Sequence, residues 1–260
     1  MDKITIIKIG GNIIDEETQL ASFLKQFAQI AGKKILVHGG GKLATRMADR
    51  LGIPQEMVEG RRLTDAATLQ IVTMVYAGYI NKNIVALLQQ YPCNVLGICG
   101  ADANIIKAHK RTSFEVDYGF AGDIDTVNVT MLVQLLQTTE ALVIAPITHD
   151  GQGQLLNTNA DTIAQELAKA LSSVYATELV YCFEKPGVLS DVNDETSVIR
   201  VLQPAPYAQL KAKRKIFEGM IPKLDNAFSA VQAGVQAVHI GNATALDALI
   251  KGQCGTKIML

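Results

Sequence analysis

Hydrophobic residues along this chain fall into two alternating kinds of segment. Short runs rich in apolar and β-branched residues occur at 4–9 (ITIIKI), 34–38 (KILVH), 94–99 (NVLGIC), 141–146 (ALVIAP), 179–182 (LVYC), 236–240 (QAVHI) and 256–260 (TKIML). Runs of this length and composition predict strands. Between most of them the apolar positions recur at helical spacing: Ile163, Leu167 and Leu171 lie four apart, and Phe23, Phe27 and Ile30 nearly so. Strands alternating with helices predict an α/β protein whose mostly parallel central sheet is covered on both faces. Residues 105–125 (IIKAHKRTSFEVDYGFAGDID) break the alternation with charges, β-formers and glycines. They predict one or two β-hairpins inserted at the mouth of the sheet, either as a flap over a ligand or as a surface excursion.

Sheets of this kind bind ligands beyond the carboxyl ends of their strands. The rule directs attention to Gly10 and Gly11, to His38 through Gly41, to Gly97 through Asp102, and to the stretch from Ile147 to Asp161. Any division into lobes is predicted to fall in the helix after Asp161, with no flexible linker.

Composition narrows the class of function. The 260 residues include 24 lysines and arginines against 25 aspartates and glutamates, and 48% are hydrophobic against 19% charged. That balance supplies a large core and excludes a disordered chain. It gives no general electrostatic footprint for nucleic acid or an anionic membrane. No uninterrupted apolar run approaches the ~20 residues of a membrane span. The N-terminal apolar stretch meets Lys8 after a few residues and reads as a first strand, not a signal peptide. Cys93, Cys99, Cys182 and Cys254 lie far apart without a CxxC pair, which suits core thiols in a reducing compartment.

Five short constellations carry chemistry. In Lys8-Ile9-Gly10-Gly11-Asn12 an ammonium stands beside a backbone without Cβ atoms, where successive N–H groups can face an anion; a tight turn with a solvated lysine is the plainer alternative. In His38-Gly39-Gly40-Gly41-Lys42, three glycines cost conformational entropy, and access to N–H groups at a helix start would offset it. The spacing is not a Walker A loop, since Leu36 and Leu43 occupy its glycine and hydroxyl positions, nor a GxGxxG dinucleotide loop. Gly60-Arg61-Arg62-Leu63-Thr64-Asp65 offers guanidinium forks for a carboxylate ahead of a helix for which Thr64 is the expected cap. In Asn157-Thr158-Asn159-Ala160-Asp161, Asn159 is the expected cap and Asp161 falls in the first turn, favoured by the helix dipole. In Glu218-Gly219-Met220-Ile221-Pro222-Lys223-Leu224, Pro222 opens a helix with apolar positions Leu224, Ala227, Phe228 and Val231. Lys223 then lies at the positive end of the helix dipole, a placement that an anion nearby would justify.

Taken in order, KIGGN, VHGGGK, GRRLT, GFAGDI, LLNTNAD, GMIPKL and the terminal GTKI resemble the amino acid kinase family, and within it the branch acting on N-acylated glutamate. The resemblance runs from about residue 3 to residue 260. It implies a single αβα sandwich, with an acylglutamate lobe at about 1–165 and a nucleotide lobe at about 166–260. It implies transfer of the γ-phosphoryl of ATP, with Mg2+, to the side-chain carboxylate of N-acetyl-L-glutamate, giving an acyl phosphate in arginine biosynthesis. Carried over by motif, Lys8 and Lys223 stabilise the migrating phosphoryl group from opposite sides, and Asp161 orients them. Gly10 and Gly11 bind phosphoryl oxygens, and Gly40, Gly41, Arg62 and Asn157 hold the acceptor. No metal ligand is carried over onto the protein. The stretch Phe183-Glu184-Lys185-Pro186-Gly187-Val188 departs from the family, which more often has an aspartate and small residues before the turn. By the same resemblance the chain is expected to be a cytoplasmic homodimer. Members inhibited by arginine carry an extra N-terminal helix, and this chain begins directly at its first strand. Other acceptors remain open on the same fold, among them N-succinyl-L-glutamate, aspartate, free glutamate, carbamate and a nucleoside monophosphate. So does a catalytically silent sensor of amino acid or nucleotide.

Overall fold

A computed structural model of the chain describes residues 1–58, 61–113, 115–213, 216 and 220–260. Gly60, Glu218 and Gly219, which belong to motifs picked out in the sequence, lie outside the described residues.

The strands are β1 (Lys3–Ile9), β2 (Lys33–His38), β3 (Met57–Val58), β4 (Arg61–Arg62), β5 (Val95–Cys99), β6 (Ile106–Lys110), β7 (Ala121–Val127), β8 (Ala141–Ala145), β9 (Ile147–His149), β10 (Leu155–Thr158), β11 (Ala176–Phe183), β12 (Val201–Leu202), β13 (Ala237–Asn242) and β14 (Thr256–Ile258). The helices are α1 (Gly11–Asp15), α2 (Glu17–Gln29), α3 (Gly41–Arg50), α4 (Ala66–Val72), α5 (Asn81–Leu88), α6 (Val129–Thr138), α7 (Ala160–Leu171), α8 (Pro204–Ala212), α9 (Ile221–Gln232) and α10 (Leu246–Ile250). A π-helical stretch, Thr73–Ile80, joins α4 to α5 without a break.

Eight strands form one sheet in the order β12-β14-β13-β11-β1-β2-β8-β5. Every neighbouring pair is parallel except β13 and β14. This is the α/β architecture the alternating pattern predicts. Each strand predicted for the central sheet is present, while the short edge strand β12 is an addition.

Side chains of a strand alternate between faces, and here the alternation sorts the core into two halves. Ile4 and Ile6 of β1, Ile35 and Val37 of β2, and Leu142 and Ile144 of β8 pack under α6, α7 and α9. Ile7 and Ile9, Leu36, and Val143 pack on the other face under α2, α3, α5 and α10. Strands that are apolar at consecutive positions therefore need cover on both sides, and the helices supply it.

The continuous helical segment Ala66–Leu88 has the length and apolar character to cross a bilayer, alone among the described residues. Its residues Leu69, Ile71, Val72, Val75, Ile80, Ile84 and Leu88 are buried in the second half-core, which is a sufficient reason for their apolarity.

The unusual stretch at 105–125 forms the antiparallel pair β6–β7. It joins β9 and β10 in a small closed barrel, β10-β7-β6-β9, that continues from the carboxyl ends of β5 and β8. The strands β9 and β10 were not anticipated, being only three and four residues long. The barrel is tied to the loop before α4 by a bridge between Thr64 and Gly119. Phe120 N–H donates to the Thr64 carbonyl (2.6 Å) and Thr64 N–H donates to that of Tyr118 (3.1 Å). The expected cap of α4 is corrected here: Asp65 accepts from Thr68 N–H at 2.7 Å, and Thr64 is spent on the bridge. Asp65 performs the role because its carboxylate reaches the third helical N–H, and that bond also holds its pKa below the usual range.

Gly119 has φ +64°, and a Cβ there would lie 2.1 Å from the Thr64 carbonyl oxygen. Replacing it by alanine meets both a left-handed backbone and a backbone clash. Gly119→Ala is expected to lower stability by on the order of 2 kcal/mol. Urea unfolding checks this, and an unchanged midpoint would show that the bridge bends freely.

Candidate active site

Lys8 shares a face of β1 with Ile4 and Ile6, so its aliphatic stem lies in the half-core covered by α7. The helix opens with the expected Asn159 cap, whose Oδ1 accepts from Asp161 N–H (2.8 Å) and Thr162 N–H (3.2 Å). That cap fixes Asp161 in the first turn, and its Oδ1 meets Lys8 Nζ at 2.7 Å. The side chains are only 11% and 25% exposed, so the pair is partly withdrawn from solvent screening. Tyr181 on β11 donates its hydroxyl to the Asp161 carbonyl at 3.1 Å and anchors the helix start to the sheet.

Lys223 arrives from the other end of the chain, in the first turn of α9. Its Nζ lies 4.1 Å from the centroid of the Phe183 ring. Lys8 Nζ lies 5.9 Å from the centroid of the same ring. Phe183 closes β11 and stacks on Tyr181 with centroids 6.1 Å apart. Two ammonium groups from opposite ends of the sequence thus meet one aromatic ring. Partial burial pushes the Lys223 pKa below its ordinary value; the Asp161 carboxylate opposes the shift and the Lys8 charge adds to it.

Two cavities adjoin at this point. One, of about 430 Å³, is lined by Gly10, Phe183, Val188, Ile216, Met220 and Lys223. The other, of about 440 Å³, is lined by Lys8, Gly40, Arg62, Tyr76, Asn157 and Asp161. Gly11 and Asn12 line both. Gly10 precedes α1 and Gly11 is its first residue, so the backbone at the junction carries no Cβ.

In the second cavity Arg62 donates to Gln55 Oε1 and, at 3.0 Å, to Thr45 Oγ1. The Tyr76 hydroxyl lies beside the same guanidinium, while burial holds the phenol pKa above its usual value. Asn157 Nδ2 donates to Thr64 Oγ1 at 3.0 Å, so the bridge that holds the small barrel also orients this amide. Gly41 follows Gly40 as the first residue of α3. A Cβ on Gly40 would fall 1.6 Å from a Tyr76 ring carbon, so aromatic packing gives a second reason for glycine there.

The residues anticipated from motifs therefore assemble around one junction: Lys8, Asp161, Gly40, Arg62 and Asn157 on one side, Gly10 and Lys223 on the other, Gly11 between. Asn12, Lys42 and Arg61, quoted in the motifs without a role of their own, also line the second cavity, as do Thr45 and Tyr76, which no motif contains. The sequence reading treated Phe183 as a departure only, although the ring is the common neighbour of both lysines. Tyr76 had no usable signal, because it reaches Gly40 from the π-helical stretch, where α-helical spacing fails.

Glycine-rich strand ends beside paired ammonium groups suit the binding and transfer of a phosphoryl group. The chain belongs to the amino acid kinase family, whose model matches residues 3–242. It is 54% identical to an acetylglutamate kinase of Cytophaga hutchinsonii over 262 aligned positions, covering 100% of this chain and 99% of that one. It is also 54% identical to an acetylglutamate kinase of Bacteroides thetaiotaomicron, covering 99% of this chain and 98% of the relative. Among solved structures, smu.665 from Streptococcus mutans superposes with a TM-score of 0.78 at 25% identity, covering 98% of both chains.

The electrostatic arrangement makes a signed expectation. Asp161→Asn removes the charge that holds the Lys223 pKa up, so that pKa should fall further and the protonated fraction should be lost at lower pH. Lys8→Met should move it the opposite way. Titration of 13C-labelled lysine by NMR checks both signs; shifts of the same sign would mean that the three charges are not coupled.

Proposed function

We propose that the protein transfers the γ-phosphoryl group of ATP to the side-chain carboxylate of N-acetyl-L-glutamate, producing an acyl phosphate for arginine biosynthesis. The convergence of Lys8 and Lys223 on one ring at the junction of two cavities carries this reading, and the near full-length acetylglutamate kinase relatives support it.

The acceptor occupies the Gly40–Arg62–Asn157 cavity and the nucleotide the Phe183–Lys223 cavity, with the reacting oxygens at Gly11. The acceptor lobe is about 1–165 and the nucleotide lobe about 166–260. Arg62 binds the α-carboxylate of the acceptor, with Gly40, Gly41 and Asn157 completing its site. Gly10 and Gly11 donate to phosphoryl oxygens. Charge on the transferring group grows where the two ammonium groups can approach it, and Asp161 keeps them from driving each other away. The nucleophile is already a carboxylate, so the reaction needs no general base and no covalent intermediate on the protein. In-line positioning and charge stabilisation supply the catalysis.

Among the described residues, no three carboxylate, imidazole or thiol groups gather in a way that could hold a metal. The donor set therefore fits Mg2+ that arrives on the triphosphate, where it neutralises phosphate charge. The protein's own cations act beside it.

The alternative acceptor N-succinyl-L-glutamate keeps one point in its favour: Lys42 and Arg61 add positive charge to the acceptor cavity beyond Arg62. Purified protein with ATP, Mg2+ and a panel of N-acetylglutamate, N-succinylglutamate, glutamate and aspartate decides among them, with N-acetylglutamate expected to give the highest kcat/KM. Lys8→Ala and Lys223→Ala should each lower kcat by roughly 100- to 1,000-fold, the scale of losing one preorganised charge-stabilising group. Near wild-type turnover in either variant would remove the mechanism.

We place the protein in the cytoplasm, in keeping with four free thiols, and infer a homodimer. Met74 and Tyr79 project from the π-helical stretch with 57% and 64% of their surface exposed, and a second copy would cover them. Light scattering after gel filtration should give twice the chain mass, with Tyr79→Glu shifting it toward the monomer. A monomeric wild type rejects the inference.

A further inference from the structure

Gly39 has both of its backbone polar groups engaged by the protein. Its N–H donates to the Ile9 carbonyl at 3.1 Å. Its carbonyl oxygen lies 2.8 Å from Nδ1 of His38, a side chain with no exposed surface. The peptide unit from Gly39 to Gly40 is trans, as no cis bond occurs among the described residues. In a trans unit the C=O and N–H point in opposite directions. Turning the Gly39 carbonyl toward the buried ring therefore turns the Gly40 N–H away from it, and Gly40 lines a cavity together with Lys8 and Asn157.

The neighbours of His38 determine which ring nitrogen carries the proton. Asn81 is completely buried, with its Nδ2 2.9 Å from the Val143 carbonyl and 3.4 Å from that of Ile98. Backbone carbonyls only accept, so the atom facing them has to be the amide nitrogen. The same nitrogen lies 3.3 Å from His38 Nε2, which must then accept. The proton is left on Nδ1, and Nδ1 donates to Gly39.

The amide is held in this sense from its other end as well. Lys82 Nζ donates to Asn81 Oδ1 at 3.1 Å and to the Gly97 carbonyl at 2.6 Å. Gly97 is glycine for this network, because a Cβ there would lie 2.3 Å from Asn81 Oδ1. Complete burial lowers the His38 pKa to about 4, so the neutral ring persists at neutral pH.

We propose that His38, fixed as its Nδ1–H tautomer by Asn81, is a positioning residue that orients the Gly39–Gly40 peptide and so aims the Gly40 N–H at an oxygen of the bound acceptor. The inference rests on the reading of the Gly40 cavity as the acceptor site.

Three substitutions and one spectrum test it. Asparagine places an amide nitrogen near the position of Nδ1, and glutamine near that of Nε2; leucine keeps volume without a donor. His38→Leu is expected to raise the acceptor KM or lower its kcat/KM by roughly 10- to 100-fold while ATP KM changes little, the scale of losing one positioned donor. His38→Asn should recover most of that loss and His38→Gln should not, with thermal melting reporting whether each variant is folded. Independently, long-range 1H–15N correlation of the wild-type imidazole at pH 7 should show Nδ1 protonated and Nε2 bare.

A folded His38→Leu variant with wild-type acceptor kinetics, or His38→Asn no better than His38→Gln, overturns the positioning role. So does an Nε2–H tautomer. If the wild type phosphorylates none of the acceptors, the proposed function fails instead, and the tautomer alone then decides whether the peptide is held as described.

Discussion

The structure depends on keeping two like charges close together. Lys8 and Lys223 repel, and neither can retreat fully into solvent, because one sits on the central strand and the other in the partly buried first turn of α9. Asp161 makes the arrangement tolerable by binding Lys8 directly and lying close enough to Lys223 to oppose its loss of charge. The Phe183 ring offers both ammonium groups a negative π face without adding a carboxylate that would repel phosphate. The resting site thus keeps a net positive charge, with Lys8, Lys42, Arg61, Arg62 and Lys223 against Asp161, and it presents two converging cations to any anion that displaces these contacts.

The fold was legible wherever burial and chain direction left a period in the sequence. The seven apolar runs read as strands because a sheet covered on both faces requires uninterrupted hydrophobicity, and all seven are strands. The short barrel strands β9 and β10 escaped because three or four residues carry too little pattern. The misplaced cap before α4 has a different cause. Thr64 and Asp65 are both good caps, and only the tertiary bridge to Gly119 decides that Thr64 is engaged elsewhere.

The site was legible where chemistry used unusual residues and hidden where it used ordinary ones in unusual places. Lys8, Asp161 and Lys223 stood out as charges at strand and helix ends, and Gly40 and Arg62 as parts of motifs. Tyr76 belongs to no motif, and nothing in its neighbours announces a π turn. Phe183 looked like an irregularity, because cation–π contact depends on where two distant lysines arrive. His38 and Asn81 are separated by 43 positions, and a hydrogen bond between buried polar groups at that range leaves no local trace.

The continuity of the eight-stranded sheet has a mechanical meaning. Lys8 lies on β1, which is hydrogen-bonded to β2 on one side and to β11 on the other. The two halves of the molecule are therefore leaves of one spring and not bodies swinging on a joint. Any displacement of one half against the other would have to bend or twist this one sheet, a deformation spread over many hydrogen bonds at once.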